Sequence, residues 1–164
     1  MLSHAAATYV AAHDVRIFRR AVVVTVDNQG YRDALRLHHA GVQVEGIYDA
    51  RPGAEGSSVD AARTAGIPVR FRATLLDTAS GEEGVLHSVT IQDLNTKETV
   101  EKAADLLAVS GGWTPIVDLA THIGIKPTWS DKHAAFIVNK TTARLRTAGL
   151  LAAIWFCRAD SAAG

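Results

Sequence analysis

The residues best suited to chemistry surround a tight polar turn in the first third of the chain. An apolar, β-branched run at Ala21–Val26 leads into the turn Asp27–Gly30, and the next such run ends on an acid, Asp49. In dinucleotide-binding βαβ units, a helix N-terminus faces a phosphate and an acid about twenty residues further on faces a ribose. The spacing therefore predicts a Rossmann-like unit in which Asn28, Gly30 and Asp49 contact a cofactor.

The glycine fingerprint of this turn is incomplete. Laid on the pattern G-x-G-x-x-G, the sequence reads Thr25-x-Asp27-x-x-Gly30, so only the third glycine, which permits close helix–strand packing, is present. Asp27 stands where a pyrophosphate needs room, and we expect its carboxylate to cap the following helix by accepting amide hydrogen bonds. Such a cap would occupy the phosphate position and repel a phosphate. The turn therefore favours the fold more strongly than it favours ordinary dinucleotide binding.

The acid at the end of the second apolar run has two interpretations. In the first, the Asp49 carboxylate accepts hydrogen bonds from a ribose diol. In the second, Asp49 is a solvated strand end that pairs with Arg51, two residues further on. The local sequence leaves both open, and the capping role expected of Asp27 counts against the ribose role.

A second candidate cluster follows a later apolar run. Gly111 and Gly112 come directly after Ser110, where small residues let the backbone approach a ligand and adjacent amides can form an anion-binding nest. The alternative is a sharp turn out of the sheet. Trp113 could close over a flat cofactor, although a tryptophan after a strand belongs more often to a core or an interface.

Hydrophobic periodicity predicts the elements that position these residues. The predicted elements are a helix at Ala5–Ala12 capped by Ser3, strands at Ala21–Val26 and Val42–Tyr48, helices at Tyr31–His39 and from Ser57 or Ser58 to Arg63, a strand beginning at Ile67, a return strand at Ala104–Ser110, a helical pattern at Ile116–Ile123, and a strand passing into a helix at Leu145–Trp155. Period-two alternation between Val69 and Ile91 predicts an antiparallel hairpin or three-stranded meander.

This order of elements predicts an α/β fold. We expect a small parallel sheet with flanking helices and an antiparallel meander, as in flavoproteins with two dinucleotide domains. The chain has 164 residues, which favours one nucleotide-binding domain. Within it, residues 1–19 form a leading helix and lead-in, residues 20–125 the βαβ core with its meander, and residues 126–164 a return segment.

Composition excludes several classes of function. The formal net charge is zero, so no basic face for nucleic acid is expected, and self-association is plausible. No apolar run approaches the length of a membrane span, and no secretory signal is recognisable, so we expect a cytoplasmic protein. Cys157 is the one cysteine, which rules out an internal disulfide and a cysteine-based zinc site, and the histidines lack metal-binding spacing.

Three stretches of the sequence resemble a known family. They are Val22–Leu35, Tyr48–Pro52 and, most specifically, Ala104–Pro115, which ends in Ser-Gly-Gly-Trp-Thr-Pro. All three are similar to the α subunit of heterotetrameric sarcosine oxidase and to related amine-oxidising assemblies such as opine oxidases and hydrogen cyanide synthase. The similarity covers most of the chain but only the middle of that much longer subunit, which implies an excised second nucleotide domain together with the return segment into the first.

The resemblance implies cofactors and partners. In the family, α holds an NAD, while FAD and FMN serve the oxidation of sarcosine to glycine, formaldehyde and hydrogen peroxide together with a β subunit. It also implies contacts with the other α domains, and it places the Ala148–Gly149 region, with Gly149 as a candidate contact, near the dinucleotide of the first domain. The residues after Gly149 are poorer in glycine than the family pattern.

Three functions follow for the chain itself. The first is the nucleotide domain of such an oxidoreductase, with no catalytic residues and no turnover alone, because the cofactor carries hydride chemistry. The second is a scaffold or subunit-interaction module with a degenerate dinucleotide site. The third, a free-standing NAD-dependent oxidoreductase, ranks last because the sequence offers no acid–base pair or substrate domain.

Overall fold

The computed structural model describes residues 1–13, 15, 17–81, 84–130 and 135–138. The elements in chain order are α1 (Ser3–His13), β1 (Arg20–Thr25), α2 (Gln29–His39), β2 (Gln43–Asp49), α3 (Ser57–Thr64), β3 (Val69–Phe71), β4 (Ala73–Ser80), β5 (Leu86–Asp93), β6 (Thr99–Ala103), β7 (Leu106–Ser110), α4 (Asp118–His122), β8 (Thr128–Ser130) and β9 (Ala135–Ile137). Most predicted elements are present with bounds shifted by one to three residues.

A four-stranded parallel sheet forms the centre of the first compact unit, Met1–Gly112. Its strand order is β3-β2-β1-β7, and β1 pairs in parallel with both neighbours. The strand β1 is buried on both faces, which explains its run of β-branched residues. The predicted return strand is present as β7, which lies at the edge of the sheet beside β1.

Alternate side chains of β1 pack into two separate hydrophobic cores, one on each face of the sheet. Val23 packs with Leu37 and Ile47 in the core on the helix side of the sheet. Val22 and Val24 pack in the core on the meander side, together with β-strand residues of the meander. The parallel sheet therefore lies between a helical layer and a second sheet.

The second sheet is the predicted meander. Strands β4, β5 and β6 pair antiparallel in that order. Its inward positions include Ala73, Val89 and Ile91, each at most 1% exposed. Of the two predicted alternatives, hairpin or three-stranded meander, the meander is confirmed.

The first helix departs from the prediction at its start. Ser3 was expected to cap the helix, but it is the first helical residue, and its hydroxyl donates to the Asp33 carboxylate of α2 at 2.7 Å. Asp33 is fully buried and also accepts from the Gln29 side chain at 2.9 Å. The Ser3 hydroxyl therefore links α1 to α2 instead of serving its own helix.

The residues from Trp113 onward form a second compact unit, Trp113–Gly164. Its described part contains α4, which occupies the middle of the predicted helical stretch, and the hairpin β8–β9. Within that hairpin the rings of Trp129 and Phe136 meet edge to face at 5.2 Å. The elements predicted at Leu145–Trp155 lie outside the described residues, and the extent of one domain over 1–164 stays a prediction. In the described ranges, no helix is both long enough and apolar enough to span a bilayer.

Candidate functional site

The candidate site lies at the carboxyl edge of the parallel sheet. Thr25, Asp49 and Ser110 are the last residues of β1, β2 and β7, and the sheet register places Thr25 opposite both of the others. In open parallel α/β sheets, ligands bind in the crevice outside the carboxyl ends of the strands. The fold therefore brings the sequence-predicted residues Asp49 and Ser110 to the edge where a cofactor is expected.

Asp27 caps helix α2, as the sequence predicts. Its Oδ1 accepts hydrogen bonds from the amide of Gln29 at 3.0 Å, the amide of Gly30 at 3.3 Å and the hydroxyl of Ser110 at 2.7 Å. The Thr25 hydroxyl in turn donates to the backbone carbonyl of Asp27 at 2.8 Å. A negative charge thus already lies at the positive end of the helix, where a pyrophosphate would bind.

Gly30 is required by close packing between α2 and β1. A Cβ at this position would lie 2.4 Å from Thr25 Oγ1 and 2.5 Å from Thr25 Cβ, far inside van der Waals contact. This is the helix–strand packing role of the third fingerprint glycine. Gly30 therefore keeps its structural role in a turn that has lost the first two glycines.

Asp49 is fully buried and fully hydrogen-bonded. Its carboxylate accepts from the Tyr31 hydroxyl at 2.8 Å, from the Arg51 amide at 2.9 Å, and from Arg51 Nε and Nη2 at 3.0 and 2.7 Å. The predicted pairing with Arg51 is present, but the expectation of a solvated strand end was wrong. Burial, and then the bond to Asp49, raise the pKa of Tyr31 well above its ordinary value.

Asn28 extends this network to the loop before α3. Its Oδ1 accepts from Arg51 Nη2 at 2.9 Å, and its Nδ2 donates to the Glu55 carbonyl at 2.9 Å. Sequence reasoning placed Asn28 near a cofactor but missed both contacts and the part of Tyr31. A tyrosine in the first turn of α2 was the available signal, because that turn faces the end of β2.

The glycines after β7 differ from one another. Gly112 has a φ of +87°, a left-handed conformation that favours glycine. A Cβ at Gly111 would meet nothing within 4 Å, so that position has open space. Trp113, which begins the second unit, is 52% exposed. Gly149 lies outside the described residues.

The edge does not fit a dinucleotide bound in the ordinary way. The amides that would hold a pyrophosphate already donate to Asp27. Asp49 accepts from four donor groups, which matches the roughly four lone-pair positions of a carboxylate and leaves none for a ribose diol. As arranged, the polar groups of this edge bind one another.

Sequence comparison shows where the chain has relatives. It is 33% identical to "Sarcosine oxidase subunit alpha" of Rhizobium meliloti over 157 residues, which cover 93% of this chain and 15% of that protein. A Corynebacterium sarcosine oxidase subunit alpha is 28% identical over 159 residues, covering 94% and 16%. By sequence, this chain is related to the α subunits of sarcosine oxidase. The resemblance is thereby confirmed, and the chain spans about 15% of the length of these relatives. No protein-family model matches it.

Structural comparison supports the fold. Thioredoxin reductase of Lactococcus lactis superposes with a TM-score of 0.56 at 20% identity, covering 83% of this chain and 44% of that one. Thioredoxin reductase of T. acidophilum gives 0.59 at 18% identity, covering 81% and 42%. At these identities the comparison shows fold alone, and it confirms the Rossmann-like α/β class with a meander.

Proposed function

We propose that this chain is the second nucleotide domain of a sarcosine-oxidase-α-like oxidoreductase, and that it contributes structure rather than catalysis. In the whole assembly, the proposed reaction is oxidative demethylation of sarcosine or a related secondary amine. The sequence similarity to sarcosine oxidase α subunits supports the family assignment. Similarity over nearly the whole chain and the shared fold support a nucleotide domain of the oxidoreductase type.

One observation carries the non-catalytic part of the proposal: the acids of the carboxyl edge are already satisfied from within the chain. Asp27 holds the helix amides, and Asp49 holds Arg51 and Tyr31. A group that already accepts every available hydrogen bond is poorly placed to bind a ribose or move a proton. We therefore expect NAD to bind this chain weakly or not at all, and FAD and FMN to belong to other parts of the parent assembly.

The proposed partners are the other domains of the α subunit and a β subunit. Three exposed apolar side chains within eight residues of the second unit support this, because clustered apolar surface is typical of interaction sites. Ile116, Leu119 and Ile123 are 75%, 74% and 53% exposed. Self-association and a cytoplasmic location stay predictions from the sequence.

Calorimetric titration of the folded chain with NAD, FAD and FMN tests the proposal. We expect no saturable heat from any of the three. Saturable NAD binding that Asp49→Ala weakens, while Asp60→Ala at an exposed helix position leaves it unchanged, would overturn the scaffold role. Circular dichroism of each variant separates lost binding from lost folding.

Restoring the glycine fingerprint sharpens the test. The double variant Thr25→Gly with Asp27→Gly removes the internal anion and frees the amides of Gln29 and Gly30. If the edge is scaffold, the variant loses stability and NAD binding stays unmeasurable. A rise in NAD affinity would instead support a vestigial dinucleotide site.

Turnover is tested separately. The chain, supplied with sarcosine, FAD and FMN, is assayed for hydrogen peroxide, and none is expected. Peroxide formed in proportion to the amount of chain would contradict the non-catalytic role, whatever the titrations give.

A further inference from the structure

A cleft of about 390 Å³ opens on the meander side of the parallel sheet, and Tyr48, the residue before Asp49 in β2, forms part of its lining. It lies beside the outer strands of both sheets, β3 of the parallel sheet and β6 of the meander. The lining residues are Tyr48, Pro68, Val69, Arg70, Val100 and Lys102. The walls thus combine apolar side chains with two cations and one hydroxyl.

Tyr48 is fixed in the cleft by its own strand. A Cβ at Gly46 would lie 3.1–3.2 Å from the Tyr48 ring carbons and hydroxyl oxygen, so the ring rests against the Gly46 backbone. The register of β2 with β3 places Arg70 directly opposite Tyr48. Paired residues of parallel strands share a face, so the hydroxyl and the guanidinium belong to the same side of the sheet.

The Tyr48 hydroxyl has no protein partner in the described part of the chain, although the residue is only 5% exposed. Burial raises its pKa, Arg70 opposes that rise and Glu45 adds to it. A buried tyrosine hydroxyl usually finds a hydrogen-bond partner, because leaving it unpaired is costly. The hydroxyl is therefore a donor available to a ligand.

The two cations of the cleft are also incompletely paired. Lys102 is half-buried and forms no ion pair with any residue that the structure describes. Arg70 Nη2 lies 4.0 Å from Asp93 Oδ2, at the limit of an ion pair, while Asp93 Oδ1 accepts the amides of Asn95 and Thr96. With Glu45 and Asp93 nearby, the cleft matches one negative charge better than two.

We propose that this cleft binds a small organic monoanion with an apolar or aromatic body, whose carboxylate contacts the Tyr48 hydroxyl, Arg70 and Lys102. The body packs against Pro68 and Val100. Apolar walls with a few convergent polar groups are typical of small-molecule sites, and this volume lies within their usual range. The proposal is independent of the dinucleotide edge and of the parent reaction.

Titration of the full chain with benzoate, followed by amide NMR, tests the proposal. Saturable shifts at Tyr48, Val69, Arg70, Val100 and Lys102 are expected. Benzamide keeps the ring but lacks the charge, and acetate keeps the charge but lacks the ring. Each should bind at least about tenfold more weakly than benzoate, because charge-assisted hydrogen bonds and apolar burial both contribute.

Variants assign the contacts. Tyr48→Phe keeps the ring and should weaken benzoate binding about tenfold, and Lys102→Gln should weaken it several-fold. Lys97→Gln, in the turn between β5 and β6, removes a charge from the same hairpin outside the cleft and should change nothing. Tyr48→Phe removes an unpartnered hydroxyl, so the variant should remain folded.

The result that overturns the proposal is equally specific. Benzoate that causes no saturable shifts, or whose shifts map elsewhere, excludes the site. Equal affinity for wild type, Tyr48→Phe and Lys102→Gln, or equal affinity for benzoate and benzamide, shows that the cleft does not recognise an anion.

Discussion

The carboxyl edge of the parallel sheet and the Tyr48 cleft both gather polar side chains, but they use them in opposite ways. At the edge, Asp27 and Asp49 accept hydrogen bonds from several donors of the chain itself. In the cleft, the Tyr48 hydroxyl has no partner among the described residues, and Lys102 has no counter-ion there. At the edge where this fold usually binds a ligand, the polar groups are already hydrogen-bonded within the chain. In the cleft, polar groups remain available to a ligand.

This difference separates fold from function. Helix–strand packing at Gly30 and the pairing of β1 with its neighbours keep the Rossmann-like architecture. Neither requires the edge to remain free for a phosphate, so a carboxylate can take that position without loss of fold. The polar groups that stabilise the edge are the same groups that would otherwise bind a cofactor.

Removing Asp49 should have the largest effect. Asp49→Ala leaves Arg51 and Tyr31 without their acceptor, and the expected cost is about 3 kcal/mol, near the lower bound for breaking a buried ion pair because Arg51 is partly exposed. Urea unfolding measures it. Asp60→Ala, which breaks an exposed pair with Arg63, should cost less than about 0.5 kcal/mol. Equal effects would mean that the edge is no more tightly bonded than the surface.

Adding one methyl group tests the packing of the turn. Gly30→Ala should destabilise the fold by about 2 kcal/mol, since its Cβ would overlap Thr25 in a well-packed region. Gly111→Ala places the same methyl group in open space and should be nearly neutral in the same urea series. A neutral Gly30→Ala would show that the turn tolerates displacement of Thr25.

The two buried tyrosines compare the regions directly. Tyr31→Phe removes a donor to the buried Asp49 carboxylate and should cost about 1.5 kcal/mol. Tyr48→Phe removes a hydroxyl with no partner in the described chain and should be neutral or slightly stabilising. Matched thermal and urea unfolding measures both. If the two substitutions cost the same, the contrast between a satisfied edge and an unsatisfied cleft is wrong.

The sequence predicted the fold more completely than the site. The spacing of hydrophobic residues and the choice of turn residues reflect local chain geometry. The βαβ order, the meander and the Asp27 cap could therefore be predicted from the sequence. The Asp49–Arg51 pair is local and could also be predicted, but the contacts with Tyr31 and Asn28 could not, because those residues reach the end of β2 only after β2 pairs with β1. The cleft was missed for the same reason: Tyr48 and Lys102 are far apart in the chain and share a wall only in the folded sheets.

The cap at α2 should contribute less than the buried network. Asp27→Ala frees the amides of Gln29 and Gly30 and the hydroxyl of Ser110, at an expected cost of about 1 kcal/mol. Asp27→Asn keeps a side-chain acceptor and should lower the free energy of unfolding by only a few tenths of a kcal/mol. This is the part due to the negative charge at the helix end. Urea unfolding at low and high salt distinguishes the two, because salt should reduce only the charge-dependent part.

Alkaline pH should give the smallest effect and still distinguish the two regions. The pKa values of Tyr31 and Tyr48 are raised in the folded chain, mainly by burial, so the folded state keeps both protons when the unfolded chain loses them near pH 10. The stabilising contribution is therefore complete below that pH and declines as pH rises, by about 0.4 kcal/mol at pH 10 for Tyr31 and in the same direction for Tyr48. Unfolding free energies from pH 8 to 10, with absorbance at 295 nm to follow tyrosine ionisation, should show a smaller decline in Tyr31→Phe and in Tyr48→Phe than in the wild type. Benzoate that binds the protonated Tyr48 hydroxyl should raise the free energy of unfolding already at pH 8, because binding stabilises only the folded state. The increase should be smaller in Tyr48→Phe and unchanged in Tyr31→Phe. No increase, or an equal increase in Tyr48→Phe, would leave the cleft without its donor.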